Sequence, residues 1–242
     1  MSISVAIITK NEAHNIVECL RSVQWASEIV VVDCGSTDNT VALAQSMGAK
    51  VFYRSFDTFG DQKQYAVEQC SNEWVLSLDA DERIPTELAN EIQKVIQNNP
   101  KQNGFYLTRV NFLYGKRLKY GGVGKEKILR LFRKEFATYQ SRSLHEYVFV
   151  KGETGYLTHY FEHHSIPTLN AHWQKIMVYT DIETAQKPKY NFFKLAILPW
   201  IKFIKLYVFK LGFLDGYEGY MWAKMSALSR TIRTFKAYQK HK

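Results

Sequence analysis

The sequence has only three cysteines, Cys19, Cys34 and Cys70, an odd number at unrelated spacings. They support neither a disulfide framework nor a Cys-x-x-Cys zinc site, and they fit a reducing cytosol. Five prolines and 13 glycines in 242 residues exclude collagen-like and low-complexity architecture. The turn after the first apolar run lacks a Gly-x-Gly-x-x-Gly fingerprint, and no phosphate-loop motif ending in Gly-Lys-Ser/Thr occurs. The dinucleotide-binding and P-loop readings therefore lose support. No basic stretch precedes the apolar run at the N-terminus, so no secretory leader is expected. A long hydrophobic run is also missing. In residues 191–214, Lys194, Lys202, Lys205 and Lys210 break the apolar sequence, and the longest clean run is Leu195 to Ile201. A spanning helix needs roughly 20 largely apolar residues, so spanning is disfavoured. Acidic residues are scarce towards the end of the chain. Residues 188–242 hold 11 Lys/Arg against two Asp/Glu, which accounts for the whole net charge of +9. A basic segment of this kind seeks phosphate or an anionic surface.

With 46% hydrophobic and 23% charged residues, the chain can bury a core and is not disordered. Its first hundred residues alternate strand and helix patterns. Ile3 to Ile8, Glu28 to Asp33, Val51 to Tyr53 and Glu73 to Leu78 read as strands. Helical spacing lies between them, and Pro85 opens a further helix to about Asn98. This alternation predicts right-handed βαβ units, hence a mostly parallel sheet flanked by helices in a Rossmann-like α/β fold. Ligands of such sheets bind beyond the carboxyl ends of the strands, so the polar residues there are the candidates. From Gly104 the texture changes to longer strands, Gly104 to Tyr114, Lys127 to Phe132 and Thr154 to Phe161. After about Pro167 the chain reads as helical. The expected division is 1–165 as the main domain and 166–242 as a basic helical extension. For 191–214, a helix in the membrane interface and a helix packed on the domain remain equal alternatives.

Three strand ends carry chemistry. Asp79-Ala80-Asp81-Glu82 follows the fourth strand, and two carboxylates two apart can approach one hard cation that also takes diphosphate oxygens. Asp33-Cys34-Gly35-Ser36-Thr37-Asp38 follows the second. Asp33 can either accept hydrogen bonds from a base or ribose or serve a plain βα turn, and Asp38 reads as a helix cap. Thr9-Lys10-Asn11-Glu12 follows the first strand and would line the same cleft.

In order, SVAIITKNEAHNI, EIVVVDCGSTDNT, GDQKQYAV and WVLSLDADERI resemble the motifs of the family 2 glycosyltransferases with the GT-A fold, continuously over about residues 2–98. With Leu129-Arg130-Leu131-Phe132-Arg133 and Leu144-His145-Glu146, the chain is similar to bacterial lipopolysaccharide-core β-1,4-glucosyltransferases. The resemblance implies a nucleotide-sugar half, 1–100, and an acceptor half, 101–165. It implies that Thr9, Asn11 and Glu12 line the nucleotide pocket, that Asp33 meets uracil or ribose, and that Lys63 lies near the nucleotide. It places Asp79 at ribose or metal and Asp81 on a Mg²⁺ or Mn²⁺ ion bridging the diphosphate. Glu146 is the implied general base, with Glu82 its rival. Alternation along a strand lets only one of Arg130 and Arg133 reach the cleft, and Arg130 is favoured.

The implied activity is inverting transfer, of glucose by expectation, from a UDP-sugar to a lipid-linked glycan such as the lipopolysaccharide inner core. The expected place is the cytoplasmic face of the inner membrane, held peripherally on anionic lipid. A nucleotidyltransferase and an inactive membrane-surface module are the alternatives. No RRM, KH or helix-turn-helix signature is present, so nucleic acid is not an expected partner. Gly121-Gly122-Val123-Gly124-Lys125-Glu126-Lys127 departs from the GGWYPD-like stretch of relatives, which leaves the acceptor open. His159, His163 and His164 lack nearby cysteines and argue against zinc, with an approach of His159 to the metal–diphosphate region only a minor alternative.

Overall fold

A computed structural model describes residues 2–142, 145–184 and 192–239, and the side chains among them except those of 141, 142, 145, 146, 182–184 and 192–195. The chain divides into two units, Met1–Arg109 with Glu126–His163, and Val110–Lys125 with His164–Lys242.

In the first unit the chain runs β1 (Ile3–Thr9), α1 (Ile16–Ser22), β2 (Glu28–Asp33), α2 (Thr40–Ser46), β3 (Lys50–Tyr53), α3 (Phe59–Glu68), β4 (Trp74–Asp79), β5 (Glu82–Arg83) and α4 (Thr86–Gln97). There follow β6 (Gly104–Leu113), β7 (Lys116–Arg117), β8 (Glu126–Arg133), β9 (Ala137–Arg142), β10 (His145–Val150) and β11 (Thr154–Ile166), with β7 and the far ends of β6 and β11 belonging to the second unit. The main sheet has the order β3-β2-β1-β4-β8-β6-β11-β5, with β7 paired to β6. The α/β class holds. The parallel ladder covers β3, β2, β1 and β4, as the βαβ alternation requires. From β8 onward the pairings among the described residues are antiparallel, so the sheet is mixed rather than mostly parallel. The reason is local: past Gly104 no crossover helix separates the strands, and neighbours can only return antiparallel. β9 and β10 form a separate antiparallel ribbon that the mixed polar and aromatic pattern of 137–150 did not announce.

Burial explains the strand assignments. β2 is buried at all six positions and β1 at six of seven, as inner strands covered on both faces must be. α4 buries Leu88, Ala89, Ile92 and Ile96, a stripe at spacings of three and four that packs into the core with Trp74, Leu76 and Phe161. Each fully buried Leu, Ile or Phe contributes about 1.5–3 kcal/mol.

In the second unit, α5 (Leu169–Thr184), α6 (Phe192–Ile204) and α7 (Tyr217–Gln239) are the helices, with a π turn at Lys205–Phe209 between α6 and α7. The sequence boundary at 165 left Val110–Lys125 with the main domain. The structure groups that segment with the helices because the Asp215 carboxylate accepts the N–H groups of Lys119 and Tyr120, the latter at 2.8 Å. Trp222 Nε1 also donates to the Gly121 carbonyl at 2.9 Å. Gly219 is needed where α7 begins, since a Cβ there would lie 1.9 Å from the Gly212 carbonyl oxygen. Among the described residues, no helix is long and apolar enough to cross a membrane.

Candidate active site

Parallel register gathers the three motif-bearing strand ends. Thr9 pairs with Asp33 across β1 and β2, and Ile8 pairs with Asp79 across β1 and β4. The loops beyond them interlock. The Asp33 carboxylate accepts the N–H groups of Gly35 and Ser36, both at 2.9 Å, and the Ser36 hydroxyl. Gly35 has φ +92°, a conformation that glycine adopts without strain. Asn11, itself at φ +55°, donates its N–H to Ser36 Oγ and accepts the Thr37 N–H at 2.7 Å. The Glu12 N–H reaches Thr40 Oγ1 at 2.8 Å, and its carboxylate accepts from Asn15 Nδ2. Asp38 accepts the Thr40 N–H at 3.0 Å and the Ala13 N–H at 3.2 Å, a structural role in the turn, while the N-cap position of α2 falls to Asn39 and not to Asp38. Asp33, Asn11 and Glu12 thus build the two loops as well as lining them. Thr9 Oγ1 is buried at the strand end with no hydrogen-bond partner among the described residues, an orphaned polar atom where a ligand would supply one.

Behind these loops lies a charge cluster. Asp79 receives Lys63 Nζ on Oδ1 at 2.9 Å and Arg130 on Oδ2 at 2.8 Å. Arg130 also bonds Glu82 at 2.6 Å, and the second Glu82 oxygen accepts the Asp79 N–H at 2.9 Å. Lys63 and Arg130 are 3% and 4% exposed, which only pairing makes tolerable. Burial by itself would raise the Asp79 carboxyl, but Lys63 and then Arg130 hold it well below the usual range. Burial pushes the Glu82 carboxyl up, and Arg130 opposes it. Glu82 is 0% exposed with both oxygens bonded, so it positions Arg130 and cannot meet an acceptor. Arg133, across the strand, pairs instead with Glu73 and Asn99, in keeping with strand alternation.

Asp81 lies beside a histidine. β5 pairs antiparallel with β11, His163 opposite Glu82, and this brings His163 Nε2 to 3.3 Å from Asp81 Oδ2. Sequence reasoning missed His163. His159, for which the diphosphate region was only a minor alternative, bonds Glu91 of α4 through both its N–H and Nδ1, the latter at 2.8 Å. The HxxxHH spacing was visible, but its partner depended on the two-residue strand β5. Among the described residues no three His, Cys, Asp or Glu side chains converge as a metal cage. Both oxygens of Asp79 face cations, so the donors that suit a divalent ion here are the Asp81 carboxylate and the His163 imidazole. Glu146 pairs with Ser141 in the β9–β10 ribbon, and its side chain lies outside those described.

The model for glycosyl transferase family 2 matches residues 4–164. The chain belongs to that family. It is a glycosyltransferase, and the match runs from the second residue of β1 to nearly the end of β11. The lipopolysaccharide core biosynthesis glycosyltransferase LpsC of Rhizobium meliloti is 30% identical over 261 residues, covering 100% of this chain and 93% of the relative. An uncharacterized glycosyltransferase of Rickettsia felis is 30% identical, covering 97% of this chain and 88% of the relative. Among solved structures, S. aureus TarS 1-349 in complex with UDP superposes with a TM-score of 0.51 at 14% identity, covering 99% of this chain and 89% of that one. That likeness shows the GT-A fold.

Proposed function

We propose that this glycosyltransferase moves a sugar, with inversion, from a UDP-sugar to a lipid-linked glycan of the lipopolysaccharide-core kind. The observation that carries the reading is the convergence of the β1, β2 and β4 ends on one edge, with Thr9 Oγ1 left without a partner there among the described residues. The name of LpsC supports the acceptor class, and the UDP bound by TarS supports the donor. The Asp33 and Asn11 loops present donors and acceptors to the nucleotide. Asp79 is held ionised and fixed by Lys63 and Arg130, so it meets ribose hydroxyls as an acceptor of set direction. Asp81 and His163 would hold the divalent ion, and a mixed oxygen and nitrogen donor pair suits Mn²⁺ better than Mg²⁺. When bound, that ion would neutralise charge on the departing diphosphate.

Glu146 is the proposed base. It takes the acceptor hydroxyl proton while that oxygen bonds to the anomeric carbon, and the bond from that carbon to the UDP oxygen breaks with the electron pair leaving on UDP. Glucose is the sugar implied by the resemblance. The exposed apolar side chains of α6, including Trp200 at 65%, together with its lysines, support peripheral attachment to anionic lipid on the cytoplasmic face.

Sugar transfer and UDP-sugar hydrolysis with and without Mn²⁺ test the reading. Asp81→Asn keeps the side-chain shape and removes the charge, so turnover falls by about 10²–10³-fold. Unchanged turnover at limiting Mn²⁺ removes Asp81 from the metal site. A product of retained anomeric configuration by NMR overturns inversion.

A further inference from the structure

Three successive residues of α3 hold three different segments of the first unit. Neighbours along a helix point about 100° apart, so each can reach separate surroundings. Gln62, 1% exposed, donates Nε2 to the carbonyls of Arg54 and Ser55, at 3.1 and 2.7 Å, in the loop beyond β3. Lys63 bonds Asp79 at the end of β4. Gln64 Oε1 accepts the Tyr139 N–H of β9 at 2.9 Å, while Gln64 Nε2 donates to Glu68 one turn on. The helix is itself fixed. Thr58 caps it by accepting the Asp61 N–H, and Ala66 and Val67 are buried with Val30, Val32 and Phe132.

The third segment is the ribbon β9–β10, whose strands form a sheet of their own. A two-stranded ribbon is at best marginally stable alone, so its place is set by what it leans on. At its base, Lys134 Nζ bonds the Glu68 and Cys70 carbonyls at the end of α3, and Asn103 Nδ2 bonds the Lys151 carbonyl. Ala137 and Val150 are buried with α3, and Tyr139 and Val148 pack against that cluster. Farther along, Tyr139 is tied through both its N–H and its hydroxyl. The hydroxyl donates to Ser77 Oγ at 2.7 Å, and the ring stands edge-on to buried Phe132 at 6.2 Å. Ser77 is 1% exposed and lies two residues before Asp79, on the same face of β4. Two residues beyond Tyr139, Ser141 is the backbone partner of Glu146. The helix that fixes Asp79 therefore also holds the strand pair that carries Glu146.

We propose that Gln64 and Tyr139 are positioning residues of the transfer step. They set the ribbon against the Asp79 cluster, so that one helix keeps the donor side and the acceptor side in a single geometry. Misplacing a reacting group by about 1 Å costs up to about 10²-fold in rate. The role given to the ribbon rests on Glu146 as the base proposed above. A tie that only stabilised the fold would alter the melting temperature and leave turnover per folded molecule unchanged.

Steady-state kinetics of the full chain test this, with the UDP-sugar that the wild type turns over and truncated lipopolysaccharide, beside calorimetric titration of UDP. Gln64→Leu keeps the bulk and removes the acceptor oxygen. It lowers kcat by about 10- to 100-fold, while the UDP-sugar KM and the UDP affinity stay within about twofold, because Gln62 and Lys63 still hold the donor side. Tyr139→Phe keeps the ring, loses the Ser77 bond and lowers kcat about fivefold, the effect of one neutral hydrogen bond. Exchanging the pair, Gln64→Glu with Glu68→Gln, restores an acceptor for the Tyr139 N–H and an amide beside it, and brings kcat back towards wild type. Wild-type kcat in Gln64→Leu, with only a lower melting temperature, overturns the proposal. A loss of UDP affinity as large as the loss of kcat also overturns it, since α3 would then serve the donor alone. If Gln64→Leu melts below the assay temperature, Tyr139→Phe and the exchanged pair decide. Glu146→Gln separates the two readings. Full transfer in Glu146→Gln beside a slow Gln64→Leu removes Glu146 as the base and keeps the ribbon's positioning role. A slow Glu146→Gln beside wild-type kcat in Gln64→Leu keeps the base and removes the positioning role.

Discussion

The two units treat positive charge in opposite ways. In the first, Lys63 and Arg130 are buried, and each is matched to a carboxylate at hydrogen-bonding distance. Two cations and two carboxylates close on themselves with no net charge. In the second, Lys202, Lys205, Arg230 and Arg233 surround a cavity whose described lining has no acid at all. Charge removed from water must be paired or the fold pays several kcal/mol, so the first cluster is part of the architecture. Charge left at a wall open to water costs little. The difference separates charge that holds a site in shape from charge that stays within reach of solvent.

The sharpest way to break the comparison is chemical. Glu146→Gln keeps size and loses basicity, so sugar transfer falls by about 10²–10⁴-fold while UDP-sugar affinity stays near wild type. Measured donor binding that collapses with transfer would make Glu146 a binding residue. Lipid binding in the second unit stays unchanged in either case, because Glu146 belongs to the first.

The charge cluster itself comes next. Arg130→Met leaves Glu82 buried without its cation and lowers stability by about 3–5 kcal/mol in urea unfolding. Adding Glu82→Gln to Arg130→Met restores part of the loss, which a purely steric defect would not allow. The equivalent change at Arg230, beside the open cavity, costs well under 1 kcal/mol.

How much of this the sequence disclosed follows the same division. β2 was legible to the residue, since six consecutive buried positions written Glu-Ile-Val-Val-Val-Asp have no helical alternative. Arg130 was legible from strand alternation and a single motif. The interlocked Asn11 and Asp33 loops were legible as polar strand ends, but their mutual hydrogen bonds were not, because these join residues about 25 apart. His163 was illegible because its partner Asp81 is reached only through β5, a strand of two residues. In the second unit the sequence revealed the basic charge and the helices but not how they pack. The lysines of 191–214 read as interruptions of an apolar run. Only when α6 and α7 face each other do two separate stripes become one cationic wall. Tertiary placement, absent from any local pattern, made the difference.

A smaller effect tests the first unit through pH. Glu28 is nearly buried and bonds Lys50 Nζ at 2.7 Å, the Ser71 N–H at 2.7 Å and the Ser4 hydroxyl. Burial opposes ionisation, but Lys50, Ser4 and Ser71 together draw the carboxyl down to about 2. A depressed folded pKa stabilises above the unfolded value, near 4.3, and that contribution disappears as pH falls through 2. The loss amounts to about 3 kcal/mol between pH 5 and 2. Glu28→Gln flattens that part of the stability profile measured by urea unfolding. A slope equal to wild type would assign acid lability to other carboxylates.

The smallest expected effect lies on the surface of the second unit. Phe209 is 77% exposed beside Lys210, and neither lines the cavity. If this surface meets anionic lipid, the two neighbours act by different physics. Lys210→Gln removes one interfacial charge and weakens binding to anionic vesicles by about 1 kcal/mol, roughly fivefold, at low salt. That difference shrinks at high salt, because screening acts over about a Debye length. Phe209→Ala removes apolar insertion, so its effect persists at high salt and appears on neutral vesicles as well. Co-sedimentation of both variants across a salt series separates the two contributions. Parallel losses with the same salt dependence would mean that Phe209 only supports the π turn and that charge alone holds the surface. Wild-type sedimentation by both would move the contact away from residues 205–210.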